Sequence, residues 1–377
     1  MKLVATVKLL ATEEQKSSLL ATLTQVNAAC DWLAARAFEH RSADKIMLQR
    51  LYYRQLREDF DLSAQHAVRT ISKVCEVYKR DKTKLPRFDK LGAIAYDQRL
   101  YSFKNGIDRV SLLTQAGRVV IPCGVGQYHK ARLEGVRGQA DLVLRDGNFY
   151  LYVTVEVPSD PEVTPIGWLG VDLGIRNLAV DSDGQFHSGE RTLAVRSRIG
   201  TLRSKLQSAG TKSAKRHLKK LGKKEQRFHS NTNHVISKKI VRKAKDTARG
   251  IALEDLTHIR ERVTVRKTQR AHLHGWSFAQ LRAFTTYKAA LAGVPCVAVD
   301  PRYTSQTCPE CGCVSKANRK NQSEFVCTKC GFAEHADLVG ARNIAFRAEV
   351  MRPIVIDIGS EPCENDTSPS PLQAAAL

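Results

Sequence analysis

Three acids and four thiols are the residues of this chain whose types and spacing could do chemistry. Asp172 lies near the end of WLGVDL (168–173), a run that is apolar apart from a glycine and the carboxylate and reads as a buried strand. An unpaired charge in a buried strand costs several kcal/mol, so Asp172 is expected to face a metal, a cation or a cleft. The alternative is a strand-end Asp that caps the following turn. Glu254 falls in a second apolar run, RGIALEDL (249–256), where Ile251 and Leu253 take one face and Ala252 and Glu254 the other. Asp337 falls in the first turn of a helix read over EHADLVGARNIAF (334–346). Carboxylates on two strands and a helix start suit two Mg²⁺ ions about 4 Å apart, an arrangement that stabilises both the attacking and the leaving oxygen of a phosphodiester.

The thiols form the cleanest motif. Cys308 and Cys311, then Cys327 and Cys330, make two C-x-x-C pairs separated by 15 residues, each followed by a glycine, Gly312 or Gly331. That spacing predicts a four-thiolate zinc ribbon, closed by protein ligands and therefore structural. Cys313 is out of register. The remaining five of the ten cysteines, Cys30, Cys75, Cys123, Cys296 and Cys363, have no partners in spacing, which suits a reducing compartment rather than a disulfide framework.

The net charge of +22 and a pI near 9.7 call for a polyanionic partner, most simply nucleic acid. Between Arg196 and Arg249 there are eighteen Lys or Arg against two acids, Glu225 and Asp246. Leucines and isoleucines recur within this stretch, so it is expected to be a helical hairpin that meets nucleic acid. Its candidate contacts are Arg196, Arg203, Lys212, Lys215, Arg216, Lys219, Lys223, Lys224, Arg227, Lys238, Lys239 and Arg242. Arg319 and Lys320 in the ribbon also suit phosphate, while Phe228, His229 and His234 suit base stacking or ordinary packing. No apolar run approaches the ~18 residues of a membrane span, and the N-terminus lacks a signal-peptide pattern.

The elements that must position these groups follow from patterning. Residues 2–10 alternate as a strand, and helical patterns then run over 12–36, 45–59 and 63–80. Short alternating strands follow from Pro86 to Val157 and predict a small β-barrel that the first strand joins. The expected domains are therefore a β-barrel (1–11 and 82–165) interrupted by helices (12–81). An α/β domain carrying the three acids (166–301 and 334–350) would hold the basic hairpin (196–249), with the ribbon at 302–333 and a disordered tail at 351–377. Residues 158–164 read as a linker, and Trp276 to Gly293 as an amphipathic helix preceding a strand at 294–299. The order of strands and helices after residue 166, with acids on two strands and a closing helix, predicts an RNase H-like α/β arrangement within a multidomain α+β chain.

GVDLGIRNLAV, IALEDL, VDPRYTSQTCPECG, FVCTKCGF and HADLVGARNIA, in this order, resemble the RuvC-type nuclease of the TnpB family over about residues 167–346. Members of that family are transposon-encoded, RNA-guided DNA endonucleases related to type V CRISPR effectors. The resemblance implies that Asp172, Glu254 and Asp337 bind two catalytic Mg²⁺ (or Mn²⁺) and that one Zn²⁺ sits in the ribbon. It places Arg302, Thr304, Ser305 and Gln306 beside the active site, with Arg342 and Asn343 on the last helix. It also implies a guide RNA from the transposon end, double-stranded target DNA, a cytoplasmic, nucleoid-associated location in a prokaryote and a monomeric chain. A short target-adjacent motif is expected to meet Tyr52, Tyr53, Gln65 or Lys73. Where the family usually has DLNAA, this chain has Val339 and Gly340 after Leu338, a departure expected to remove a polar side chain near the third acid. Three other functions fit the same residues: a guided binder that does not cut, a transposase that joins strands, and a miniature CRISPR effector.

Overall fold

The structure, a computed structural model, describes residues 1–135, 137–255, 278–321 and 323–351. Two compact units divide it, Met1–Ser159 and Asp160–Leu377.

In the first unit, β1 (Lys2–Leu9) leads into α1 (Glu13–Glu39), α2 (Lys45–Glu58) and α3 (Ala64–Arg80). Thr12 opens α1 with a reciprocal capping box to Gln15, and the Asp44 and Ser63 side chains cap the other two helices. Ala67, Ile71, Val74 and Tyr78 form the buried stripe of α3. The chain then makes β2 (Ile94–Tyr96), β3 (Tyr101–Lys104), β4 (Arg109–Thr114), β5 (Gly117–Gly124), α4 (Gln127–Leu133), β6 (Arg137–Arg145) and β7 (Asn148–Glu156). These strands form a seven-stranded antiparallel sheet in the order β2-β6-β7-β1-β5-β4-β3, with β1 between β7 and β5 as its alternation requires. Only a short turn joins the edge strands β2 and β3, and the Tyr101 hydroxyl of β3 donates to Gly138 O of β6 at 2.6 Å, so the sheet curls into a barrel-like shape. Phe149, Leu151, Val153 and Val155 of β7 point into its core.

The second unit is built on a five-stranded sheet in the order β10-β9-β8-β11-β12. Its strands are β8 (Trp168–Asp172), β9 (Asn177–Asp181), β10 (Phe186–Ser188), β11 (Gly250–Glu254) and β12 (Cys296–Val299). β11 runs parallel to both β8 and β12, whereas β9 and β10 run antiparallel. β11 is buried from end to end, because both faces of the sheet are covered. One face packs Ile236, Ile240 and Ala244 of α6 (Lys212–Asp246) and Leu281 of α7 (Phe278–Leu291) against Leu169, Val171, Ile251 and Leu253. The other packs Ile344 and Ala348 of α8 (Ala336–Val350) against Ala252 and Val299. A short two-stranded sheet, β13 (Glu324–Val326) with β14 (Ala333–His335), precedes α8, so Glu334 and His335 belong to a strand and a helix cap rather than to the helix itself.

The basic stretch is a helical hairpin, with α5 (Glu190–Ala209) turning at Gly210 into α6. Residues 160–163 are not a free tether: Asp160 and Val163 donate backbone N–H groups to Leu291 O and Gly293 O, each at 3.0 Å. No helix among the described residues is long and apolar enough to cross a membrane. The expectations for Trp276, Cys363 and the tail from residue 352 lie outside the described residues.

Candidate active site

Two contacts bring the three acids together. Leu253 pairs with Val171 in the parallel β8–β11 ladder, so Asp172 and Glu254 emerge side by side at the carboxyl ends of adjacent strands. Open α/β sheets place ligands at this edge, because the loops leave a crevice there. The third acid arrives on α8, which can lie against β8 because residue 170 is glycine: a Cβ there would come within 2.0 Å of Ala341 O. At the residue before Ala341, a Cβ at Gly340 would sit 3.4 Å from the Asp172 carboxyl, ordinary to tight packing. Val339 instead turns into the ribbon's small core, against Cys308, Phe325 and Cys327. The departure expected to strip a polar group from the site is therefore directed away from it, because neighbouring positions on a helix point about 100° apart. It is Gly340 that faces Asp172.

Each acid is held differently. Burial, then Glu254 and Asp337, push the Asp172 carboxyl well above its usual range. Burial also raises Glu254, although the Thr304 hydroxyl donates to its Oε1 at 2.6 Å and offsets part of the cost. Asp337 accepts from Asn177 Nδ2 at 2.9 Å and faces Arg319 Nη2 at 3.4 Å. Arg319, expected to meet phosphate, thus reaches from the ribbon to the acids. Asn343 fixes the turn that carries Thr304, donating to Thr304 O at 2.7 Å and Thr307 O at 2.8 Å. Tyr303, just before that turn's threonine, has φ of 61°, an uncommon conformation for a non-glycine residue. Arg302 is exposed and lies 3.6 Å from Asp300, Ser305 and Gln306 are half-buried, and Arg342 lies 3.8 Å from Glu334.

An all-oxygen set of like-charged carboxylates, Glu254 and Asp337 buried and Asp172 half-buried, matches the donor preference of Mg²⁺. The acids do not close around one point. Among the described residues, only Cys308, Cys311, Cys327 and Cys330 form a His, Cys, Asp or Glu set with all donor atoms within 4.8 Å of one another. In that cluster Cys308 Sγ lies 3.6 Å from Cys330 Sγ, and Cys311 Sγ lies 3.5 Å from Cys327 Sγ. Gly312 and Gly331 take positive φ, 69° and 76°, at the ends of two matching turns. Backbone N–H groups of Cys330 and Lys329 point at Cys327 Sγ and pull its thiol down to about 6. Four thiols with amide donors aimed at sulfur can hold a metal of the zinc type.

The basic hairpin divides into exposed and internally used cations. Lys212, Lys215, Arg216, Lys219, Lys224, Arg227, Lys238, Lys239 and Arg242 are exposed, as is Lys320 in the ribbon. Arg196 and Lys223 are half-buried, and Arg203 is spent on Glu225 at 2.6 Å. His229 is buried, and His234 stacks on Phe284 with ring centroids 3.9 Å apart, so both serve packing here. The hairpin's root is fixed by Lys243, which reaches the buried Asp181 of β9 at 2.7 Å and Asp183 at 3.0 Å. Arg249 joins that network through both oxygens of Asp183, holding its carboxyl far below the usual range.

In the first unit, Lys73 donates to Asn27 Oδ1 at 2.7 Å and Ala93 O at 2.8 Å, and Gln65 bonds Asp97. Both side chains hold the fold in this arrangement, and reading DNA would require breaking those bonds. Tyr52 is half-buried with its hydroxyl 2.6 Å from His40, and Tyr53 is half-buried as well.

Residues 278–344 match the family profile described as Cas12f1-like, TNB domain. The chain is 30% identical over 220 residues to the CRISPR-associated endodeoxyribonuclease Cas12f1 of Sulfoacidibacillus thermotolerans, covering 53% of this chain and 50% of that one. It is 33% identical over 144 residues to the TnpB-like protein MJ0751 of Methanocaldococcus jannaschii, covering 38% and 49%. The chain is a relative of the TnpB and Cas12f proteins. InsQ of Escherichia coli, named as an RNA-guided DNA endonuclease, is 27% identical over 310 residues, 74% of this chain and 72% of InsQ. The chain spans about half the length of the Cas12f1 and TnpB-like relatives just named. The fold resembles that of Cas12f1 in its sgRNA–target DNA complex, with a TM-score of 0.60 at 14% identity, covering 87% of this chain and 82% of that one. For this TnpB and Cas12f relative, patterning pointed to the acids and cysteines but missed Asn177 as the partner of Asp337; the only sign was its place after the DLGIR turn.

Proposed function

We propose that this chain is an RNA-guided DNA endonuclease of the TnpB type that hydrolyses a phosphodiester of target DNA beside a short adjacent motif. One observation carries the proposal: Asp172, Glu254 and Asp337 converge at the carboxyl edge of a mixed sheet, with Asp172 raised by burial and then by its two acidic neighbours. Such repulsion is costly unless cations relieve it; Arg319 faces Asp337, and Arg347 and Arg319 both lower Glu254, without bringing either raised carboxyl back to its ordinary range. The strand order β10-β9-β8-β11-β12, with β8, β11 and β12 parallel, supports an RNase H-like, RuvC-type domain around the site.

Asp172, Glu254 and Asp337 would hold Mg²⁺, which when bound supplies an activated water and neutralises the leaving oxygen. Thr304 keeps Glu254 oriented through its hydroxyl, and Asn177 does the same for Asp337. The four cysteines would hold one structural Zn²⁺, and the ribbon they fold presents Arg319 to the acids. The exposed lysines and arginines of α5 and α6 would neutralise the phosphates of guide RNA and target DNA. The barrel with its three inserted helices, the nuclease and the ribbon would then be distinct domains.

The test is to purify the protein with co-expressed RNA, sequence that RNA, and offer the complex a DNA library with randomised flanks in Mg²⁺. A defined RNA with flank-dependent cutting is expected. Flank-dependent binding without cutting would point to a nuclease-dead regulator, and absence of any defined RNA would overturn the guided reading.

A further inference from the structure

A cleft of about 450 Å³ opens beside the acid cluster, lined by Arg176, Asn177, Glu190, Ser323, His335 and Asp337. That is the size of a site for one small ligand. Three parts of the second unit build it: the β8–β9 turn, the root of α5 and the ribbon sheet that leads into α8. The turn and the helix root are locked together, since Gly189 N–H donates to Arg176 O at 2.6 Å and a Cβ on Gly189 would lie as close. That contact sets Arg176 and Glu190 on adjoining walls.

The groups facing the cleft have unspent capacity. The Arg176 side chain makes no ion pair or hydrogen bond among the described residues. His335 Nδ1 accepts the Asp337 N–H at 3.2 Å as the cap of α8, so the neutral ring carries its proton on Nε2 and can donate. Phe186 stands beside it, 41% exposed although it is a large apolar ring, and meets the His335 ring at 4.9 Å and 86°. An exposed aromatic is the usual platform for a nucleobase, and a cation for its phosphate; Phe186 reaches the cleft's margin through His335, and Arg176 lines its wall. The charges choose among ligands. Two carboxylates, Glu190 and Asp337, share the cleft with one guanidinium, an arrangement that repels a bare anion. A nucleotide divides its chemistry to match, with phosphate at Arg176, base N–H groups toward Glu190 and the base face on Phe186.

We propose that this cleft holds the nucleotide flanking the scissile phosphate on the cut strand, with Arg176 and Phe186 as its main contacts. The proposal rests on the nuclease reading above and adds the substrate's neighbouring residue to it.

The experiment uses the protein with its RNA and a labelled target strand carrying one abasic position, moved stepwise past the cut. An abasic nucleotide next to the cut should lower kcat/KM by about tenfold, and Phe186→Ala on the intact strand should do the same. Combined, they should cost no more than either alone, because both delete one contact. Losses that multiply, or indifference to the abasic position, would overturn the proposal. A second arm needs no cutting: anisotropy of a five-nucleotide single strand on Asp172→Asn protein. Arg176→Ala and Phe186→Ala should each weaken binding several-fold, and unchanged binding would overturn the subsite. If the wild-type complex cuts no DNA, the nuclease reading fails, and this binding arm still decides whether the cleft takes a nucleotide.

Discussion

Replacing Asp172 with Asn should make the metal-free protein more stable, although it removes a group central to the proposed reaction. Both Asp172 and Glu254 are raised from ordinary values of 3.8 and 4.5, chiefly by burial. The folded protein therefore keeps protons that the unfolded chain has released. Their favourable contribution is fully present below the unfolded values and is lost as pH rises through the folded ones. At pH 8 without metal, wild type folds against that cost. Adjacent strands lie about 4.8 Å apart, and at that separation two like charges repel by roughly 3 kcal/mol at an effective dielectric of 20. Asp337 adds a second, smaller repulsion, and Arg319 offsets part of the total. Asn keeps the shape without the charge, so the net gain is on the order of 3 kcal/mol. For a domain of this size each kcal/mol moves the melting midpoint by about 2–4 °C, giving roughly 6–12 °C. The assay is calorimetry in EDTA at pH 8 and pH 3, followed by titration with Mg²⁺. Expected are a higher transition for Asp172→Asn at pH 8, convergence with wild type at pH 3, and a smaller Mg²⁺ response in the variant. An unchanged or lower transition at pH 8 would refute the electrostatic argument.

Other outcomes follow from the same geometry. Cys308→Ser should bring bound zinc from about one per chain to near zero by elemental analysis, and full zinc content would remove Cys308 from the ligand set. Gly170→Ala should destabilise the second unit by roughly 3 kcal/mol or more, read as a lowered denaturation midpoint, because its methyl overlaps the α8 backbone. Changing Lys219, Lys224 and Arg227 to Gln should flatten the plot of log binding constant against log salt by about two to three units if all three meet phosphate, and an unaltered slope would clear these residues of that role. Thr304→Val should slow cutting while leaving DNA binding intact, measured as a lower kcat at unchanged Kd, since it deprives Glu254 of its hydroxyl donor.

Features written in local patterning were legible from the sequence. The alternation of residues 2–10 and of β7 announced strands of one sheet, and the helical repeats between them read as an insertion. The cysteine spacing announced the cluster that the fold assembles. The three acids could be named because two close short strands and the third sits in the first turn of a helix. Their common position depends on something no local pattern holds: the parallel pairing of β8 with β11 and the close approach of α8 at Gly170. Cations were harder. Charge alone made Arg203, Arg319 and Lys73 look alike, yet the fold gives them to Glu225, Asp337 and Asn27. The same limit applied at Val339 and Gly340, where which residue meets Asp172 depends on how α8 is rotated about its axis.

The two bonds of Asn343 have a practical consequence for anyone shortening this chain. They tie α8 to the turn that orients Glu254, and that turn runs directly into the first cysteine knuckle. From the far side of the same ribbon, Arg319 reaches Asp337. Two of the three acids are therefore held from the ribbon's two flanks, and replacing residues 302–333 with a short loop should leave a folded sheet with misaligned carboxylates. The hairpin tip at Gly210 touches neither acid and is the safer place to trim or graft, so a compact derivative should give up the end of its lever before it gives up the ribbon.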